Sequence, residues 1–301
     1  MTTIEESIRN RSRQLLESGE VAEVIAWGNG RFKNQTTPLF ITDPDRASEI
    51  VCNSYCANTL SKYALSEKAL GKIAICVRGC DSRAINRLIA DKQIAREDLY
   101  LLGIACQGMK DRLSDELLEK CKACTHRDPV IYDELFSDEA SKAEEVAGEE
   151  TAREEAANEV AKPDRFKDIE AIEALPRAER LAYFNDLYNN CIRCYACREV
   201  CPVCTCRECF VDQQRAGWQG KQNNLEKNRF YNLTRVFHIG DRCIECGECE
   251  RVCPMGLPLM QINRKWIKDI TALFAAGEEG LTEEPNNVLG CYDVNDIEEF
   301  M

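Results

Sequence analysis

The stretch Cys191-Ile192-Arg193-Cys194-Tyr195-Ala196-Cys197-Arg198-Glu199-Val200-Cys201-Pro202 sets three cysteines at equal spacing, then a fourth followed by proline. The pattern returns at Cys243-Ile244-Glu245-Cys246-Gly247-Glu248-Cys249-Glu250-Arg251-Val252-Cys253-Pro254. This is the bacterial ferredoxin spacing, in which three close thiolates hold one 4Fe–4S cubane and the fourth reaches the other cluster. It predicts Cys191, Cys194, Cys197 and Cys253 around one cluster, and Cys201, Cys243, Cys246 and Cys249 around a second. A disulfide framework belongs to an oxidising compartment and usually to an even cysteine count, whereas this chain has 19. The N-terminus MTTIEESIRN has neither the basic start nor the apolar core of a secretory signal. Structural zinc takes four ligands, usually as two separated Cys-x-x-Cys pairs, so a third evenly spaced cysteine and the Cys-Pro are superfluous for it.

The 301 residues suit about two domains. The net charge of −13 argues against nucleic acid, whose phosphates need a basic surface. The best apolar run, Leu99 to Cys106, falls far short of the ~20 residues of a membrane-spanning helix. No transmembrane segment is expected, and the many free thiols point to a reducing cytoplasm. Residues 137–164 carry ten acidic and three basic side chains. This segment reads as a solvated or disordered spacer between an N-terminal domain, 1–136, and a ferredoxin-type domain, 165–301.

The N-terminal domain reads as α/β with a small parallel sheet. Val21 to Trp27, Pro38 to Ile41, Lys72 to Val77 and Asp98 to Ile104 are strand candidates. Asp43-Pro44 is a helix start, expected to carry a helix through Ala47, Ile50 and Val51 toward Leu60. A second helix is expected over Ser82 to Ile94, with Ile85, Leu88 and Ile89 at helical spacing. Strand, helix, strand over this length makes a βαβ unit. The C-terminal domain reads as α-helical and ferredoxin-like. Leu181, Phe184, Leu187 and Tyr188 form one face of a helix leading into Cys191, and residues 210–240 read as an inserted pair of helices packed on the clusters.

Cys80 and Cys106 follow two of the strands at their C-terminal ends, the edge of a parallel sheet where ligands collect. Cys121-x-x-Cys124 arrives shortly after as a metal-type pair. These four are the candidate ligands of a third 4Fe–4S cluster, with zinc or unlinked thiols as competing readings. Cys52 and Cys76 read as small buried residues. Cys204, Cys206 and Cys209 lie in a loop too polar to be core and are candidates for a fourth cluster, with Cys56 as a ligand from the N-terminal domain. Cys291 reads as a plain residue, and His126 as a ligand or a hydrogen-bonding side chain. Arg193, Arg198, Arg207, Arg242 and Arg251 lie in or beside the runs, placed either to raise cluster potentials or to solvate the surface.

No phosphate-binding loop, Gly-x-Gly-x-x-Gly fingerprint or catalytic triad is present, and Gly28-Asn29-Gly30 reads as a turn. Cubanes of this type shuttle single electrons, so substrate chemistry needs a flavin or metal from elsewhere. The segment Lys72-Ile73-Ala74-Ile75-Cys76-Val77-Arg78-Gly79-Cys80-Asp81-Ser82-Arg83-Ala84-Ile85, followed by Leu102-Gly103-Ile104-Ala105-Cys106-Gln107-Gly108, resembles the beta-subunit family of deazaflavin (coenzyme F-420)-reducing hydrogenases and formate dehydrogenases. The cysteine runs look like those of bacterial members that accompany heterodisulfide-reductase-like, hydrogenase or formate dehydrogenase modules. The resemblance implies an iron–sulfur electron-transfer subunit wiring one redox partner to another, not catalytic by itself. Deazaflavin-reducing members carry a larger flavin-binding region and place the ferredoxin part at the N-terminal end. The expected cofactors are therefore at least two 4Fe–4S clusters, three or four with the further sets, and no FAD. The expected partners are redox subunits of a hydrogenase, formate dehydrogenase or flavin-based complex. The alternative is a flavin-containing subunit that reduces a deazaflavin or nicotinamide.

Overall fold

In a computed structural model the described residues are 3–67, 70–122, 124–137, 165–213, 219–220, 222–284 and 288. The acidic spacer from residue 138 to 164, Trp218 and Cys291 lie outside them. The first helix, α1 (Ile4–Glu17), starts at a capping box, with Thr3 and Glu6 satisfying each other's backbone N–H groups. It is followed by strands β1 (Glu23–Asn29) and β2 (Thr36–Ile41), then β3 (Ile73–Val77), helix α2 (Gly79–Ala90), β4 (Leu99–Ile104), the one-turn α3 (Glu119–Lys122) and β5 (Glu134–Phe136). Every residue of β3 and β4 is buried, as strands of a parallel sheet covered on both faces must be.

The sheet order is β2-β1-β3-β4-β5. The pairs β1/β3, β3/β4 and β4/β5 are parallel, as the βαβ reading predicts, but β2 pairs antiparallel with β1, so the sheet is mixed. The reason is local: the connection through Gly30 is too short for a crossover and closes a hairpin, with the Gly30 N–H donating to the Gln35 carbonyl. The helix expected from Asp43 stops early. Asp43 does cap it and Pro44 does open it, but it is a 3₁₀ turn ending at Glu49. Ile50 then turns extended and bridges to Gly28, and Val51 donates to the Trp27 carbonyl. Apolar residues at helical spacing there are buried by sheet contacts instead.

The C-terminal part is helical: α4 (Lys167–Glu173), α5 (Arg177–Asn189), α6 (Ala196–Glu199), α7 (Leu225–Ile239), α8 (Glu248–Arg251) and α9 (Leu259–Phe274). Helix α5 delivers the chain into Cys191 and buries Leu187 and Tyr188. In place of the expected pair of inserted helices, the described residues form one, α7, whose N-cap Asn224 accepts from the Lys227 N–H. After α9 the chain returns to the α/β domain. Arg83 donates through Nε and Nη2 to the Glu279 carbonyl, at 3.1 and 2.7 Å, and Asn86 donates to the Gly280 carbonyl at 3.0 Å. No described helix is long and apolar enough to cross a membrane.

Candidate iron–sulfur relay

The two cysteine runs fold as one backbone used twice. Arg193 and Tyr195 sit in the left-handed region at φ 50° and 61°, and Glu245 and Gly247 repeat this at 56° and 69°. Three of these four carry side chains, for which the region costs on the order of 1–3 kcal/mol per residue and persists only when the surroundings impose it. Strain at the same offsets in both runs is the signature of loops wrapped around an object, with successive N–H groups turned inward. Each loop then enters a one-turn helix, α6 or α8, which holds the third cysteine and releases the fourth just past its end.

Cys191, Cys194, Cys197 and Cys253 line one cavity, together with Tyr195, Tyr231, Leu257 and Leu259. The Tyr231 hydroxyl lies 3.3 Å from Cys197 Sγ. In the second set Cys201 acts electrostatically on Cys243, Cys246 and Cys249, which burial pushes up, Cys249 to about 12. Asn263 Nδ2 points at the sulfurs of both Cys243 and Cys249, 3.9 Å from each. Thiols this buried keep their protons unless a metal displaces them, which fits iron as the occupant. Among the described residues no three Cys, His, Asp or Glu side chains converge as the ligands of one ion do. In a cubane each thiolate binds a different iron.

Cys80 opens α2 directly after β3, Cys106 follows β4, and Cys121 and Cys124 come from α3 and the loop beyond it. The four form a neighbourhood: Cys106 acts on Cys80, and Cys121 and Cys106 act on Cys124. Burial and the adjacent Asp81 carboxylate push Cys80 up to about 12. Backbone N–H groups aim at sulfur here too, Gly108 at Cys106 and Met109 at Cys121, each at 3.3 Å. Such donors raise a cluster's potential. A Cβ on Gly79 would collide with the His126 carbonyl, so glycine lets the Cys124 loop lie against the start of α2. His126 itself pairs with Glu278 at 2.6 Å. Asp81 accepts from the N–H of Leu60 at 2.6 Å and from Arg78 Nε at 3.1 Å, and the buried Arg78 lies over the Trp27 ring. Cys76 is fully buried in β3, and Cys52 packs against the same core.

Sequence reasoning singled out Arg251 but missed Lys120, Glu248 and Arg235. Lys120 of α3 forms a buried ion pair with Glu248 of α8, and its charge also meets Cys80. Glu248 is held as well by Arg251, at 2.7 and 2.9 Å, and Arg251 in turn feels Cys246. Arg235 of α7 is 5% exposed and lies among the thiols of Cys201, Cys249, Cys197 and Cys204. A signal did exist: Tyr231, Arg235 and Ile239 recur at i, i+4, i+8 on the buried face of α7, an arginine in a core stripe. Of the arginines singled out, Arg242 pairs with Asp91, Arg198 with Asp212 at 2.6 Å, and Arg193 holds Gln219 and the Gly220 carbonyl. Cys56 is bound within the α/β core, donating to the Val51 carbonyl and accepting from the Asn53 N–H. It is not among the residues that line the cavity holding Cys204, Cys206 and Cys209. The cross-domain tie at that loop is Lys62, which donates to the Cys204 carbonyl at 2.5 Å.

Two matched cluster-binding loops define an iron–sulfur protein of the two-cluster kind, and the 4Fe-4S dicluster domain family matches residues 188–257. The chain thus carries two 4Fe–4S clusters and transfers electrons through them. Over a longer span it is similar to the F420-dependent formate dehydrogenase subunit beta of Methanocaldococcus jannaschii, 26% identical across 83% of this chain and 85% of the relative. It is also similar to the F420-dependent formate dehydrogenase 1 subunit beta of Methanococcus maripaludis, 24% identical across 66% of this chain and 72% of the relative. A shorter match, 33% identical over 27% of this chain and 15% of the relative, is to a component of the ion-translocating oxidoreductase complex of Buchnera aphidicola. Over most of its length the chain is thus similar to the beta subunits of these formate dehydrogenases.

Proposed function

We propose that the chain is the iron–sulfur subunit of a cytoplasmic multi-subunit redox complex of the formate dehydrogenase, hydrogenase or heterodisulfide-reductase-like kind. It relays single electrons through three 4Fe–4S clusters. Cys191, Cys194, Cys197 and Cys253 hold the first, Cys201, Cys243, Cys246 and Cys249 the second, and Cys80, Cys106, Cys121 and Cys124 the third. The domains divide at residues 136 and 165, with the spacer between them. The observation that carries the reading is the continuity of the buried charges. Lys120 and Glu248 stand between Cys80 and the second set, and Arg235 stands between the second set and Cys197. The cations among these, Lys120 and Arg235, stabilise an extra electron on the clusters beside them, and the Glu248 carboxylate holds Lys120 in place.

Iron and acid-labile sulfide counted on anaerobically purified protein, with EPR-monitored reduction, test this. About eight irons mean the ferredoxin pair alone and about twelve add the third cluster, at four per cubane. Zinc with negligible iron refutes the proposal. The names of the formate dehydrogenase relatives favour a second reading, a flavin-containing subunit that itself reduces a deazaflavin. A flavin spectrum released on denaturing the purified chain supports that reading, and iron without flavin supports the relay.

A further inference from the structure

Beside the second thiol set opens a cavity lined by three cysteines that hold none of the three clusters of the relay. Cys204, Cys206 and Cys209 reach it from one irregular loop, and His238 reaches it from the last turn of α7. The rest of the lining is predominantly cationic. Five Lys and Arg side chains face two carboxylates, Glu199 and Asp212, and both of these are already paired with Arg198. The buried Arg235 contributes to this lining, and its Nε has no partner among the described residues.

We propose that this cavity holds a fourth 4Fe–4S cluster bound by Cys204, Cys206, Cys209 and His238. The cationic walls call for an anionic occupant, and an organic anion gives no reason for three thiols within six residues. Cys206 is exposed, so apolar burial does not explain it. Three thiolates leave one iron without a cysteine, and among the described residues His238 is the one further side chain in this lining with a nitrogen suited to iron. Cys56 is absent from this lining and is not among the cluster's ligands. On assembly each thiol exchanges its proton for an Fe–S bond, so three thiol protons leave as equal amounts of ferrous and ferric iron enter with sulfide, which gives the mixed-valence cubane without a further oxidant. Replacing an anionic thiolate by neutral imidazole raises a cluster's potential. The Cys204 N–H donates to the Cys201 carbonyl at 3.2 Å, so the cluster adjoins the second one, and exposed Cys206 opens it to a partner. It is the relay's terminal acceptor and exit.

The inference extends the relay proposed above, and its test separates the two. The full chain is reconstituted anaerobically with equal ferrous and ferric iron and sulfide and titrated under EPR. The C204S/C206S/C209S variant is expected to lose about four irons and one signal while the ferredoxin-pair signals persist. H238C is expected to keep every iron and move one signal to lower potential. An undiminished iron content in the triple variant, or potentials unmoved in H238C, overturns the fourth cluster and leaves the three-cluster relay standing. Failure of the relay itself shows differently, as absence of the ferredoxin-pair signals from the unaltered chain.

Discussion

Replacing Arg235 by methionine should make both ferredoxin-type clusters harder to reduce. The guanidinium is 5% exposed and sits among thiols of both sets, which hold its pKa well above the ordinary arginine value, so it is charged at every accessible pH. At an effective dielectric of about 20, a unit charge about 6 Å from the centre of a cluster contributes roughly 332/(20 × 6), or about 3 kcal/mol. For one electron, with 59 mV per tenfold, that is about 120 mV. Spread over two clusters and reduced by relaxation, each potential should fall by about 50–100 mV. Burial keeps the charge from being screened, so raising ionic strength should not abolish the shift. Arg235→Lys keeps the charge but loses the planar donor set that reaches the Cys197 carbonyl at 3.2 Å, and should recover most of the potential. The assay is an EPR-monitored redox titration of anaerobic protein. Both potentials unmoved in Arg235→Met at full iron content would refute the placement of this charge between the clusters.

Three further outcomes are expected. Gly247→Ala adds a Cβ that collides with Lys120 at a left-handed position, so it should cost more than the ~1–2 kcal/mol of the backbone alone, read as a lower urea midpoint of the holoprotein. Glu248→Gln leaves Lys120 and Arg251 buried without their shared carboxylate and should cost about 3–5 kcal/mol, whereas Lys120→Met leaves Glu248 still held by Arg251 and should cost less. The order of the two urea midpoints decides it. The Glu278 carboxyl is held at about 2 by its hydrogen bond to His126, against the cost of burial and with help from Arg165. A folded pKa below the unfolded one gives stability that is complete at neutral pH and is lost as pH falls, about 1 kcal/mol of it between pH 6 and pH 4. Glu278→Gln should therefore flatten the decline of the melting temperature over that range, and an unchanged slope would exclude the pairing.

The cysteine runs and the burial of β3 and β4 were legible because each is a local signal: a fixed spacing and two unbroken apolar strands. The helix over 82–94 was legible for the same reason, displaced to Gly79–Ala90 because Asp81 sets its start. The shortened helix after Asp43 was not, because it depends on which neighbour buries Ile50 and Val51, and that neighbour, β1, lies more than twenty residues back, whereas the antiparallel β2 follows from its short connection to β1. Cys56 shows the same limit. It reads as a candidate N-terminal partner for the Cys204–Cys209 loop, yet it is absent from the cavity that loop lines, and its thiol donates to the Val51 carbonyl. Lys120 and Glu248 are unremarkable in their own segments. Only tertiary contact reveals that each is the buried partner of the other.

The two ferredoxin runs share a backbone and differ in the side chains between their cysteines, and those differences orient the relay. Tyr195 and Gly247 occupy equivalent left-handed positions. Tyr195 packs on Tyr231 at 5.0 Å, turning the first loop inward toward α7. Gly247 leaves room for Lys120, so the second loop receives the α/β domain instead. At the other left-handed position of each run, Arg193 holds the 219–220 segment while Glu245 pairs with Arg165 and Arg264. The ligands are interchangeable between the halves, so they cannot by themselves decide which cluster faces the N-terminal domain. Exchanging Tyr195 and Gly247 should preserve both clusters yet remove the docking surface for Lys120. Iron content would then stay constant while electron transfer between the C-terminal pair and the proposed third cluster slows, a separation that a role confined to cluster assembly could not produce.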